Sequence, residues 1–375
     1  MMKKILLSTT ALATAALLST SALAADEGLK LTLGGFFSGV VLAGGDGDAD
    51  TREVSFDSWN SEISFNAEGT ASNGLTYGFQ IQLEGASVDD QIDEAYLYFS
   101  GAFGRVEFGT NDPVAAQMGY VSPSPDVNGI LTVNSGDYMF NAFTYNSDGD
   151  AGKVNYFTPR IGGFQLGLSY SPDGTQDPKD GAVAGGFESD VTTVAGPDGI
   201  LGTADDVVVG SVAGQQFTAG LNYSKEFSGV TVGLSGTYAF LESEITDAGG
   251  LADDQTSWGL GANLGFAAGA GTVTLGGSYL AIDSFGFLKD NDVSAYDVGV
   301  QYAQGAWSLG AQSIWWDEDS FPDTIWGLSV GGGYKVATGL DLAVGYMHWD
   351  NQGGGGGSFT KEDADVFLLG SMLSF

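Results

Sequence analysis

The feature that most constrains this chain is an alternation of period two that continues to its last residue. The stretch Leu75-Thr76-Tyr77-Gly78-Phe79-Gln80-Ile81-Gln82-Leu83-Glu84 shows it most clearly. One face carries Leu, Tyr, Phe, Ile and Leu; the other carries Thr, Gly, Gln, Gln and Glu. The scheme recurs over residues 217–223, 230–240, 258–266, 273–281 and 326–336. Alternation alone also suits a water-soluble sandwich, so the chemistry of the two faces has to decide. A sandwich packs its inner faces with large side chains. Here the apolar face is large and often aromatic, while the other is Gly, Ser, Thr, Asn, Gln and an occasional charge. That is the apolar-outside, polar-inside pattern of a membrane barrel with aromatic girdles.

The rest of the chain agrees. After residue 24 no run of about 18 uncharged apolar residues occurs, so no membrane helix is expected. A backbone in lipid must satisfy its amides internally, which leaves soluble secretion or a closed barrel. Lys3 and Lys4 precede an apolar stretch, Ile5 to Leu18, and Ala22-Leu23-Ala24 supplies small residues for cleavage. Residues 1–24 therefore read as a cleaved signal peptide and residues 25–375 as the barrel. An anchoring helix is the alternative, but the apolar run is shorter than the roughly 20 residues that span a bilayer. The absence of Cys suits an oxidising compartment without requiring disulfide chemistry.

Sixteen strands are expected, beginning near Leu29, Phe56, Leu75, Asp93, Gly104, Lys153, Phe164, Gln216, Val230, Ser257, Gly271, Ala295, Trp307, Ile325, Leu340 and Asp365. The connections give an independent check. Those after even strands are short, such as residues 100–103, 160–163, 267–270, 304–306 and 337–339. Most of those after odd strands are longer and acidic: residues 43–52, 111–152, 171–214, 241–256 and 351–362. One rim of tight turns and one rim of long loops describes an antiparallel up-and-down transmembrane β-barrel. The 60 glycines, which follow no collagen-like period, suggest tight turns and close-packed strands.

Certain segments also resemble a known family. Residues 93–109, Asp93-Glu94-Ala95-Tyr96-Leu97-Tyr98-Phe99-Ser100-Gly101-Ala102-Phe103-Gly104-Arg105-Val106-Glu107-Phe108-Gly109, resemble the signature hairpin of Gram-negative general porins. Val154-Asn155-Tyr156-Phe157-Thr158-Pro159 with Gly163-Phe164-Gln165-Leu166-Gly167-Leu168-Ser169-Tyr170 is similar to the hairpin after that family's constriction loop. Phe375, preceded by Leu373, Leu369 and Phe367, resembles the carboxy-terminal signal read by outer-membrane assembly machinery. The resemblance spans the mature chain and is greatest to alphaproteobacterial porins. It implies a homotrimer in the Gram-negative outer membrane, in contact with lipid and lipopolysaccharide, whose third external loop folds inward to narrow each pore. That loop is about Asn111 to Gly152 here, longer than an ordinary connection and rich in Gly, Ser, Asn and Pro. A floppy external loop is the competing reading.

Strand parity assigns the charges. With Leu29, Leu31 and Leu33 facing lipid, Lys30 faces inward; by the same rule Glu62, Glu84, Glu94, Arg105, Glu107, Lys153, Asp297 and Lys335 point to the lumen. Inward placement is expected in any barrel, because Lys or Arg on the lipid face costs about 2–4 kcal/mol at the midplane. In the family, acids on the constriction loop face a cluster of bases across the pore. Asp126 and Asp137 are the candidate acids; Lys30, Arg105 and Lys153, with Arg52 and Arg160, are the available bases. The chain departs from that picture by its shortage of bases. It holds 12 Lys and Arg against 47 acids, and Lys3 and Lys4 lie in the leader. A net negative lumen and a preference for cations and neutral solutes follow. The same charge disfavours nucleic acid, and 43% hydrophobic residues disfavour disorder.

Two acidic segments have spacing suited to Ca2+: Asp46, Asp48 and Asp50, and the turn around Asp198, Asp205 and Asp206. Neither completes an EF-hand, and solvated acidic turns are the alternative. Such ions would also bridge acidic loops to lipopolysaccharide phosphates. No cofactor is required. Enzyme chemistry finds little support: His348 is the lone histidine, Cys is absent, and no Gly-x-Ser-x-Gly elbow has a base partner. The leading expectation is a passive pore for small hydrophilic solutes and ions. The alternatives are a substrate-specific channel, for a sugar for instance, with Tyr96 and Tyr98 facing the lumen, and a structural surface barrel with cation-binding loops. Saturable flux would mark the first and negligible conductance the second.

Overall fold

The structure is a computed structural model. It describes residues 28–45, 54–57, 61–85, 91–126, 129–133, 144, 149, 151–174, 192–194, 207–209, 213–243, 252–320, 324–350 and 363–375. The leader, Asp46, Asp48, Asp50, Arg52, Asp137, Asp198, Asp205 and Asp206 lie outside these residues.

The strands are β1 (Lys30–Gly45), β2 (Val54–Asp57), β3 (Ser61–Thr70), β4 (Thr76–Glu84), β5 (Ile92–Gly101), β6 (Gly104–Thr110), β7 (Gly152–Phe157), β8 (Phe164–Ser171), β9 (Thr192–Val194), β10 (Val207–Val209), β11 (Ala213–Phe227), β12 (Val230–Ser243), β13 (Gln255–Ala268), β14 (Gly271–Asp283), β15 (Val293–Gln304), β16 (Trp307–Glu318), β17 (Ile325–Ala337), β18 (Leu340–Asp350) and β19 (Ala364–Ser374). Two short helices, α1 (Val114–Met118) and α2 (Ile130–Val133), lie between β6 and β7. Seventeen of the strands form one sheet, and β9 pairs with β10 in a separate hairpin. Strands β2 and β3 are successive parts of one stave: both pair with β1, at Val40↔Asp57 to Ala43↔Val54 and at Lys30↔Glu68 to Phe37↔Ser61. The sheet is therefore a closed antiparallel barrel of sixteen staves, sealed where β1 meets β19 from Phe36↔Ser374 to Gly45↔Asp365.

Local sequence explains the closure of the turns. Between β11 and β12, Ser228 and Gly229 both take positive φ (51° and 84°), the two-residue geometry whose twist matches the flanking strands. Only two residues likewise separate β13 from β14, β15 from β16 and β17 from β18. The opposite rim carries the long connections.

The outer face is apolar and open. Leu31, Leu33, Leu221, Leu260, Val344, Phe367 and Leu369 are each about half or more exposed, far more apolar surface than water tolerates around a whole molecule. Aromatic pairs ring both edges of this band. At the tight-turn rim Trp307 packs on Tyr334 with ring centroids 4.2 Å apart, and Phe164 on Tyr223 at 4.6 Å. Nearer the long-loop rim, Trp258 packs on Tyr279, Tyr296 on Trp315 and Tyr346 on Phe367. Two girdles around an apolar band mark a wall immersed in a bilayer.

The inner face departs from the small-or-polar expectation over part of its circumference. Toward the long-loop ends of β14–β19 and β1, inward positions are large and apolar: Leu280, Ile282, Ile314, Trp316, Met347, Trp349, Leu368 and Val40 are buried in one cluster. Ile130 and Leu131 of α2 belong to it. In Tyr346-Met347-His348-Trp349, apolar and aromatic side chains stand on both faces because one meets lipid and the other meets the chain's own interior.

Candidate pore wall and constriction segment

The inward face of β3–β6 carries a connected polar network. Glu62 on β3, Gln82 on β4 and Glu94 on β5 are joined through amide side chains. Gln82 Nε2 donates to Glu62 Oε2, Gln80 Nε2 donates to Gln82 Oε1 at 2.9 Å, and Gln80 Nε2 donates to Glu94 Oε2 at 3.0 Å. The Tyr96 hydroxyl donates to Gln80 Oε1 at 3.2 Å. A register irregularity between Ile81 and Leu83 on β4 breaks strict alternation against β5. Beside it, Asp93 joins Glu62 and Glu84, and carboxylate oxygens of the three lie within 4.8 Å of one another. Asp93 is the acid that parity overlooked, because a bulge shifts the register by one residue and leaves no mark on the alternation.

Arg105 on β6 lies on this wall. Its Nε donates to Glu107 Oε1 at 2.6 Å, and its guanidinium carbon sits 3.7 Å from the centroid of the Tyr98 ring. The Tyr98 hydroxyl donates to Glu68 Oε2 at 2.7 Å. Glu107 is also an anchor, since its other oxygen accepts from Asn111 Nδ2 at 2.5 Å and Asn155 Nδ2 at 3.2 Å. Lys153, buried, turns its ammonium on backbone carbonyls: Nζ donates to Asn111, Gly149 and Ala151, the latter two at 2.6 Å. These carbonyls belong to both ends of the β6–β7 connection, so Lys153 draws the ends together. Lys30 and Lys335 are exposed near the tight-turn rim. Arg160 at that rim donates to the Gly163 carbonyl, Gln165 and Asn222.

Described parts of the connection between β6 and β7 touch inward residues on one stave after another. The Val114 amide donates to Ser169 Oγ on β8, and the Tyr120 amide to Ser235 Oγ on β12, at 2.7 and 2.8 Å. The Ser122 amide donates to Asp297 Oδ1 on β15 at 2.6 Å. Gln301 Nε2 donates to the Ser124 carbonyl and Gln312 Nε2 to Ser122 Oγ. Asp126, 1% exposed, accepts from the Ile130 and Leu131 amides at 2.9 and 3.3 Å and so caps α2. Burial pushes its carboxyl above the ordinary range, against the pull of those two donors. Asp126 and Asp297, both read as lumen acids, are held against the protein.

A family model for Gram-negative porins matches residues 8–354. No curated protein matches the chain. Among solved structures, a porin refined at 1.8 Å is 21% identical with a TM-score of 0.56, and covers 92% of this chain and 100% of its own. The anion-selective porin from Comamonas acidovorans is 16% identical with a TM-score of 0.60, over 93% and 100%. OmpT of Vibrio cholerae, in a trimer form, is 14% identical with a TM-score of 0.60, over the same shares. At these identities the likeness is one of fold.

Proposed function

Because this chain belongs to the Gram-negative porin family, a family of outer-membrane channels, we propose that it forms a water-filled pore for passive diffusion of small hydrophilic solutes and that the pore prefers cations. One observation carries the preference. Glu62, Glu84, Asp93 and Glu94 crowd one stretch of the inner wall, whereas two bases of the neighbouring strands, among the described residues, are engaged: Arg105 by Glu107 and Lys153 by backbone carbonyls. A lumen wall whose acids exceed its bases attracts cations and raises their local concentration. The β6–β7 connection is the narrowing element in this reading, supported by its bonds to the inward side chains of β8, β12, β15 and β16.

Reversal potential in planar bilayers under a salt gradient tests the sign. Cation preference is expected, and anion preference overturns the reading. Homotrimeric assembly is proposed with it, as in the trimer form of OmpT, as is Ca2+ at Asp46, Asp48 and Asp50 and at Asp198, Asp205 and Asp206. A substrate-specific channel draws support from the Tyr96–Gln80–Gln82 ladder, which offers hydroxyl and amide partners to a polyol. Saturation of sugar flux into liposomes at low concentration favours that alternative.

A further inference from the structure

Resting on the reading of the β6–β7 connection as the narrowing element, we propose that glycines on the inner face of β13 set the width of the pore. They do so by providing seats in which both arms of that connection lie flush with the wall. Gly259 and Gly261 are adjacent inward positions on one strand. A Cβ on Gly261 would overlap the Tyr120 carbonyl, and one on Gly259 the Thr144 carbonyl. Tyr120 belongs to the outgoing arm and Thr144 to the returning arm. The neighbouring stave holds the same two residues by hydrogen bonds: Ser235, opposite Gly261, accepts from the Tyr120 amide, and Thr237, opposite Gly259, donates to the Thr144 carbonyl. The two staves thus form matched pairs, in which one residue binds an arm and its cross-strand partner has no side chain to hold that arm away.

The seats continue along the segment's course. Gly310 on β16 would place a Cβ 2.9 Å from the backbone of Pro125, and Gly299 on β15 would place one 2.9 Å from Ser122 Cβ. Gly345 on β18 receives Leu131, 2.7 Å from where a Cβ would stand. By contrast, Gly265 lies on the inward face of β13 outside this course, and a Cβ there meets nothing closer than Thr231 at 3.7 Å. The difference tracks the segment and not the strand. Side chains at the seats would lift the segment by roughly 1 Å, because carbon and oxygen atoms do not approach within their contact distance, and the lift is directed into the lumen.

The test is single-channel conductance of the full-length protein in planar bilayers, comparing Gly259→Ala and Gly261→Ala with Gly265→Ala. Conductance should fall by about a third to a half in the first two and stay at the unsubstituted level in the third. Equal conductance in all three, or a rise in the first two, overturns the proposal. An unsubstituted protein that conducts nothing overturns the channel reading itself, so the two failures are distinguishable. If the alanine variants do not fold, Ser122→Cys/Gly299→Cys serves instead, in a chain with no other cysteine. Their Cβ positions need a shift of about 1 Å to reach disulfide geometry. Gly299→Cys itself fills a seat, so the reduced double variant should conduct about a third to a half less than the unsubstituted protein, and oxidation should form the bond. Failure to cross-link, or a reduced variant that conducts like the unsubstituted protein, overturns the proposal.

Discussion

The guanidinium carbon of Arg105 sits over the Tyr98 ring, 3.7 Å from its centroid, with Nε on Glu107 at 2.6 Å. A base so placed is screened on one side by an aromatic face and matched by a carboxylate, and it contributes little field to passing anions. Arg105→Gln should therefore strengthen cation preference, with the permeability ratio rising about twofold or less. Reversal potentials check this, and a switch to anion preference would contradict it.

The three carboxylates Glu62, Glu84 and Asp93, within 4.8 Å of one another, repel each other when all are ionised. Asp93→Asn removes one of these charges and should lower cation preference, the permeability ratio falling about twofold or less. Reversal potentials check this, and an unchanged or increased cation preference would contradict it.

Lys153 gathers carbonyls from both ends of the β6–β7 connection. Lys153→Met keeps the length of the side chain and removes the ammonium, which leaves those carbonyls without a charged donor. A cost of about 2–3 kcal/mol is expected, read as a lower unfolding temperature, together with noisier single-channel traces as the segment loosens. Lys30→Met, at the exposed tight-turn rim, should leave both unchanged.

Asp126 has its proton affinity raised by burial. The folded state thus holds the proton more tightly than the unfolded chain. Its stability is greatest below the ordinary carboxylate range and declines as pH rises through the raised value. Asp126→Asn preserves an acceptor for the Ile130 and Leu131 amides while abolishing that slope. Asp126→Ala loses the cap and about 1 kcal/mol. Unfolding temperatures between acidic and neutral pH separate the three proteins; parallel curves for Asp126 and Asn would refute the assignment.

Leu131 sits 2% exposed against Gly345 and Gly331. Truncating it to Ala removes buried methyl groups from a socket that cannot close, at a cost of about 2–4 kcal/mol to the anchoring of α2. Hydrogen exchange at Ile130 and Leu131 amides should accelerate more than exchange in β13.

The barrel was legible because each stave has one face in lipid, so alternation persists wherever the chain crosses, and two-residue turns fix the connections. Parity puts Glu62, Glu84, Glu94, Arg105 and Glu107 on one face for the same reason, and hydrogen bonds link Glu62 through Gln82 and Gln80 to Glu94, and Arg105 to Glu107. It could not find Asp93, which a bulge brings to the other acids. Nor could it tell that Asp126, within the β6–β7 connection, turns back on the amides of α2, that Lys153 bonds to both ends of that connection, or that Asp297 meets Ser122 across 175 residues of chain. The large inward residues of β14–β19 were hidden as well. Where both faces are apolar, as at Met347 and Trp349, a pattern of two loses its contrast. Glycine abundance signals turns and close packing without naming the neighbour, and at Gly259 and Gly261 that neighbour is a distant part of the chain.

The seam between β1 and β19 has a temporal meaning. β1 has a neighbour on each side, the β2–β3 stave at Lys30–Phe37 and Val40–Ala43 and β19 at Phe36–Gly45, so the first strand of the ring cannot complete its bonds until the last has emerged. A nascent chain must therefore carry two open edges through most of its birth, with a closing step of very high contact order still ahead. Its slowest event should be the meeting of its two ends, and any helper that shelters those edges would act on the clock of assembly and leave the finished ring untouched.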